Sequence, residues 1–241
     1  MKKLVLSSLA VMAVCGIANA KEFYGEVDHP ITPITISFAD PIQLPFNNWK
    51  TYGLRFNLFV GNSFSVRGLD FGLVGMTASD FRGAAFSMAN WVEGDMYGVQ
   101  LAAIGNVVNG YTRGVQMSAI INYNQSAFTG AQMSLINFNS AFMGLQFGLL
   151  DWNKGVCYGL EFGGVNVNDS ELHGWAIGAI NYSARLYGTQ IGVVNVVPEK
   201  GRGLQLGLFN AATEFQGVQV GLLNIIGDGA VPIFPVINAN F

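Results

Sequence analysis

Three charged residues share one sequence context and are the first candidates for chemistry. Arg55, Asp70 and Glu161 each stand two residues after a glycine. Elsewhere that position usually holds glutamine, at Gln100, Gln116, Gln132, Gln146, Gln190, Gln205 and Gln219, with Ala85 and Ala176 in the two remaining units. A row of glutamines is neutral and rich in hydrogen-bonding groups, which suits the wall of a polar channel. A charge set into such a row either tunes ion passage at a constriction or pairs with a neighbour and stiffens the wall. Arg55 and Asp70 occupy equivalent places in successive units, so adjacent strands bring them within pairing reach. These ten residues are the candidate lumen-facing set. Other reactive types are sparse. His29 lies in a Pro-flanked segment and His173 precedes Gly174, and neither has a metal-ligand spacing. Asp169 and Glu171 beside His173 read as a wet turn. Cys157 has no histidine near it in sequence and reads as a packed small hydrophobe. No helix follows the glycines, so they do not form a phosphate loop. The expectation is a protein that is not an enzyme and needs no metal or cofactor.

These residues are set by a repeat. Lead glycines fall at Gly53, Gly68, Gly83, Gly98, Gly114, Gly130, Gly144, Gly159, Gly174, Gly188, Gly203 and Gly217, spaced by 14 to 16 residues. Regular spacing of this kind marks a repeat architecture. Within each unit the side chains split by parity, as in a strand. Offsets +1, +3 and +5 from the glycine are apolar in every unit except at Gly164 and Thr189. Offset 0 is glycine, offset +2 is usually glutamine, and offset +4 is small or Asn. Asn or Asp follows near offset +7, then often an aromatic, as in Asn90-Trp91, Asn122-Tyr123 and Asp151-Trp152. Charges collect in the turns. This pattern predicts strands throughout.

Met1 to Ala20 reads as a secretory signal peptide, with Lys2 and Lys3, an apolar stretch and an Ala-Asn-Ala cleavage site. The remainder, 21–241, reads as a single all-β domain. It has an N-terminal strand or cap at 31–52, repeats at 53–226 and a C-terminal strand or cap at 227–241. Thr35 to Leu44 and Pro232 to Phe241 are the candidate flanking strands. Hydrophobic residues make up 51% and charged residues 11% of the chain. Ordinary soluble domains carry about 25% charged residues. A net charge of −3 offers no basic patch, so nucleic acid is not an expected partner.

Two architectures fit. The first is an antiparallel up-and-down transmembrane β-barrel of about 14 strands, its Leu/Val/Phe face on lipid and its Gln/Gly face lining the lumen. Its function would be that of a passive pore or structural surface protein of the outer membrane, with membrane lipid as partner. The alternative is a secreted or surface-attached β-solenoid with one repeat of about 15 residues per coil, acting as an interaction or adhesion module. In that fold the apolar face is expected to form the core and the Asn near offset +7 to stack as a ladder. Pro41, Pro232 and Pro235 lie where a barrel must close, and proline cannot donate to a ladder.

The opening ITISFADPIQL, then YGLRFNLFVGN and RGLDFGLVG, then serial GxQxGLxN units and a Pro-rich end with terminal Phe resemble a family of bacterial surface-repeat proteins found in leptospires and related spirochaetes. The resemblance covers Ile34 to Phe241. It implies an exported cell-surface protein and assigns no functional residue.

Overall fold

The computed structural model describes residues 29–46 and 48–241, and the expected signal peptide lies outside the described residues. Each unit of the repeat makes one coil of a β-solenoid. The strands β3 (Lys50–Ser63), β4 (Ser65–Thr77), β5 (Phe81–Val92), β6 (Met96–Val108), β7 (Thr112–Ser118), β8 (Ile121–Met133) and β9 (Ile136–Asn153) pair in parallel along one sheet. Lead glycine lies on lead glycine throughout, as in Gly53↔Gly68 and Gly130↔Gly144. The last five coils form the continuous β10 (Cys157–Ile226), which joins β9 through Gly159↔Gly144. The parallel register replaces the expected antiparallel barrel. Its physical basis is that parallel stacking sets each side chain on its own kind in the next coil, and an antiparallel meander does not.

Two short elements close the ends. β1 (Ile31–Ala39) lies parallel on β3 and turns back at Asp40-Pro41 into β2 (Ile42–Leu44). The expected single strand over Thr35 to Leu44 is therefore a hairpin, broken by the proline. At the other end β11 (Ile233–Asn240) runs antiparallel to the last coil. Pro41 and Pro235 thus mark caps, where a missing donor discourages further pairing on an open edge.

The interior is the second departure from expectation. The Gly/Gln parity points inward and the apolar parity points outward, the reverse of what the solenoid reading supposed. Four side-chain columns fill the inside. The first, two residues before the lead glycine, includes Val66, Phe81, Met96, Phe128, Phe142, Cys157, Leu172, Leu186 and Phe215, all buried. The second is the Gln position. The third is the Asn near offset +7, and the fourth, two residues on, runs from Ser63 and Thr77 through Val92, Val108, Asn124, Asn139, Asn153 and Asn168. Two consecutive outward residues, such as Leu149-Leu150, break the strand parity just before the Asn column. They form the corner between the two walls. The aromatics after Asn turn outward, where Tyr123 stacks on Phe138 and Phe138 meets Trp152 edge-on. Their bulk is thus no obstacle to a narrow coil.

The lead glycine makes this cross-section possible. All twelve have φ between 135° and 150°. Side chains rarely adopt that region. A Cβ on Gly144 would stand 1.9 Å from the Gly130 carbonyl oxygen. Gly144→Ala should therefore lower stability by several kcal/mol, roughly 3 or more, combining backbone strain with overpacking. Gly229, in the turn before β11, meets nothing closer than 3.2 Å. Gly229→Ala should cost about 1 kcal/mol or less. Chemical denaturation midpoints of the two variants check the contrast.

Candidate functional site

All ten sequence-predicted residues are buried: Arg55, Asp70, Gln100, Gln116, Gln132, Gln146, Glu161, Gln190, Gln205 and Gln219. They line no lumen, because the fold has no barrel and the columns on both walls occupy the interior. What they do instead follows from amide chemistry. A side-chain amide carries a donor and an acceptor, so a stack of identical amides at the coil repeat satisfies itself. Gln116 Nε2 donates to Gln100 Oε1 at 2.9 Å, Gln205 Nε2 to Gln190 Oε1 at 2.8 Å, and Gln219 Nε2 to Gln205 Oε1 at 2.7 Å. The Asn ladder runs the opposite way. Asn90 donates forward to Asn106, Asn106 to Asn122, Asn122 to Asn137 and Asn137 to Asp151, at 2.7 to 3.0 Å. It resumes from Asn166 through Asn181, Asn195 and Asn210 to Asn224, at 2.7 to 2.8 Å. Glycines at offset +4 make room for it. A Cβ on Gly207 would meet the Asn195 amide nitrogen at 2.5 Å.

The first two coils solve the same packing problem with charge. Glycine replaces the ladder Asn there, as Gly61 and Gly75, in register with each other and with Asn90. The vacated space takes a buried ion pair. Arg55 Nε reaches Asp70 Oδ1 at 2.9 Å and Nη2 reaches Oδ2 at 2.6 Å, while Nη1 donates to the Met76 carbonyl at 2.5 Å. Asn57 Nδ2 donates to Asp70 Oδ1 at 2.7 Å. The pair lies between adjacent parallel coils. A bidentate, fully hydrogen-bonded geometry is what allows two charges to stay buried.

The second acidic group sits mid-rod. Glu161 accepts from Asn168 Nδ2 at 2.8 Å, from Asn153 Nδ2, and from the Cys157 thiol at 3.3 Å. Burial drives its carboxyl up to about 7 against the hydrogen bonds that lower it. The same burial, helped by Glu161, raises the Cys157 thiol well above its usual range, which leaves it a poor nucleophile. Asp151, which occupies an Asn-ladder place in the preceding coil, is also pushed up to about 7, first by burial and then by Glu161. Sequence reading placed Asp151 with the Asn residues near offset +7 and gave it no role of its own. Its presence among asparagines at offset +7 was the available signal. The residues around His173 stay on the surface: His173 stacks between Tyr158 and Tyr187 at 4.7 Å each and bonds Glu171. That bond is the chief reason the Glu171 carboxyl sits below its usual range.

Outside, the apolar parity forms a broad sheet face. Offsets +1, +3, +5 and +6 of the twelve coils carry no charged residue. Leu149 is 63% exposed, Leu222 66% and Leu58 57%. Sequence reasoning assigned these residues to lipid or to the core, and the fold leaves them on an open surface. Exposed apolar areas beyond a few hundred Å² ordinarily mark binding sites. No protein-family model, curated protein or solved structure matches this chain.

Asp151 interrupts the Asn ladder in a way that can be tested. Its Oδ2 and the Asn166 Oδ1 have no hydrogen-bond partner among the described residues, and a Cβ on Gly163 would touch both, at 3.0 and 2.4 Å. Two acceptors cannot bond, but a protonated Asp151 can donate to Asn166 and continue the ladder. Both carboxyls bind their protons more tightly folded than unfolded. The stabilisation they give is complete below about pH 4 and is lost as pH rises through about 7. At about pH 8, Asp151→Asn should raise unfolding stability by about 1–4 kcal/mol, and at about pH 4 by about 1 kcal/mol or less. Equal denaturation midpoints for variant and parent at the higher pH contradict this assignment.

Proposed function

We propose that this chain is an exported, surface-associated β-solenoid that serves as an interaction module, binding through its apolar sheet face. The observation that carries this reading is the face itself. Twelve coils present four outward columns that are apolar except at Gly164 and Thr189 and are uninterrupted by charge. Leaving such a surface in water is costly at about 25 cal/mol per Å². A partner that covers it recovers that free energy. The polar, hydrogen-bonded interior ties each coil to the next, so the face is held ready before anything binds. The secretory-type N-terminus and the resemblance to bacterial surface-repeat proteins support placement at the cell surface.

Leu149 and Leu222 point outward, so acidic substitutions there should disturb binding far more than folding. In envelope fractions of producing cells, the full chain should migrate in a native separation as an associated species, larger than a free chain. The double variant Leu149→Glu/Leu222→Glu should migrate as a free chain, with an unchanged β-sheet circular dichroism spectrum. A parent chain that is free and unassociated, or retained inside the cell, overturns the proposal.

A further inference from the structure

We infer that the occupant of the apolar face is a second copy of this chain, packed face to face to form a closed pair. The inference rests on the interaction-module reading and names the partner. Area is the first argument. Four residue steps from offset +1 to +5 span about 13 Å, and twelve rungs at about 4.8 Å span about 58 Å, giving roughly 770 Å² of footprint per copy, with offset +6 at its corner. The caps prolong it. Ile34 and Ile36 of β1 continue the columns of Leu54 and Phe56, and Ala239 and Ile237 of β11 continue those of Val218 and Val220. Two such faces together bury about 1,500 Å², the standard size of a specific, stable interface.

The chemistry of the face selects the partner. It has no charge and offers no free backbone donor, because its strands are hydrogen-bonded to the coils above and below. A matching surface must be flat, apolar, equally long and grooved at the same coil spacing. The face itself meets all four conditions, and stacked sheets pack at about 10 Å with such columns interdigitated. Relief is also present on both sides of the match. A shallow hollow opens among Phe86, Met88, Leu101, Met117 and Met133, where flexible methionines adapt to what enters. Among the large apolar residues of the twelve coils, Leu222 and Leu149 are the most exposed.

The rim agrees. One residue before each lead glycine, an outward stripe includes Arg67, Arg82, Arg113 and Arg202 together with Tyr97 and Tyr158. Arg82 lies over the Tyr97 ring at 5.2 Å. An apolar centre edged by Arg and Tyr is the ordinary anatomy of a protein interface. A lipid surface fits less well. Acidic Asp80, Asp95, Glu171 and Glu214 stand two residues beyond that stripe, and the net charge is −3, so anionic headgroups gain nothing.

The test is the solution mass of the purified full chain, by light scattering and sedimentation from about 1 to about 100 μM. The expected result is twice the chain mass at the upper end. Leu149→Glu and Leu222→Glu, made separately, should each shift the population to single chains at the same concentration, with unchanged circular dichroism. A single-chain mass across the range, or an open-ended series of larger masses, overturns the inference. So does flotation of single chains with vesicles of zwitterionic lipid. If purified chains are single yet the envelope species remains associated, this inference fails and the interaction reading stands. If both associations are absent, both fail.

Discussion

The structure depends on side-chain amides that bond to copies of themselves. A buried amide without a partner costs on the order of 1–3 kcal/mol, and one that is partnered is close to neutral or slightly favourable. Within a single coil, Gln116 and Asn122 have few means of satisfaction. Between coils, each finds an identical group one rung away. The polar interior is therefore stable only as a stack. It also resists slippage, since a one-residue shift sets amide against leucine. Register and parallel direction both follow from that requirement, and the hydrophobic columns around Phe128 and Phe142 add packing to it.

The same requirement explains why apolar side chains face outward. The interior is narrow, because small residues four places after the lead glycine let the two walls approach closely, while each lead glycine packs on the lead glycine of the preceding coil. Gly207 and Gly221 leave room for Asn amides of the opposite wall and would not admit a Cβ. Leucine in these positions would push the walls apart and break the ladders. The apolar residues are left on the surface of a stable rod, and the free energy of covering them is available for association.

Much of this was legible in the sequence. The unit boundaries, the strands, the two parities and the Asn stack could be read from the lead glycines and the period of two. The direction in which each parity pointed could not. Alternation reports two faces and is silent on which is inside, and hydropathy favours burying the Leu/Val/Phe face. That preference fails here because amide pairing is a property of neighbouring coils and no single unit displays it. Parallel and antiparallel stacking were equally ambiguous, since both bring Arg55 beside Asp70. Gly61 and Gly75 carry no signal in the sequence that sets them apart from other strand glycines. Their meaning emerges only when they are seen to leave the space that Arg55, Asp70 and Asn57 fill. Asp151 was readable as a deviation, but the orphaned pair of acceptors it faces was not.

Because each coil bonds chiefly to the one before and the one after, a gene could gain or lose a whole repeat with little disturbance to the rest. Both amide ladders would close again over the join, provided that Gly meets Gly and Asn meets Asn. The caps at β1–β2 and β11 would travel unchanged with the ends. Length is thus a heritable dial that unequal recombination can turn one rung at a time. Every turn of it adds or removes the same increment of apolar width for selection to act on. A lineage of such chains would be expected to differ more in repeat number than in the identity of the residues that stack.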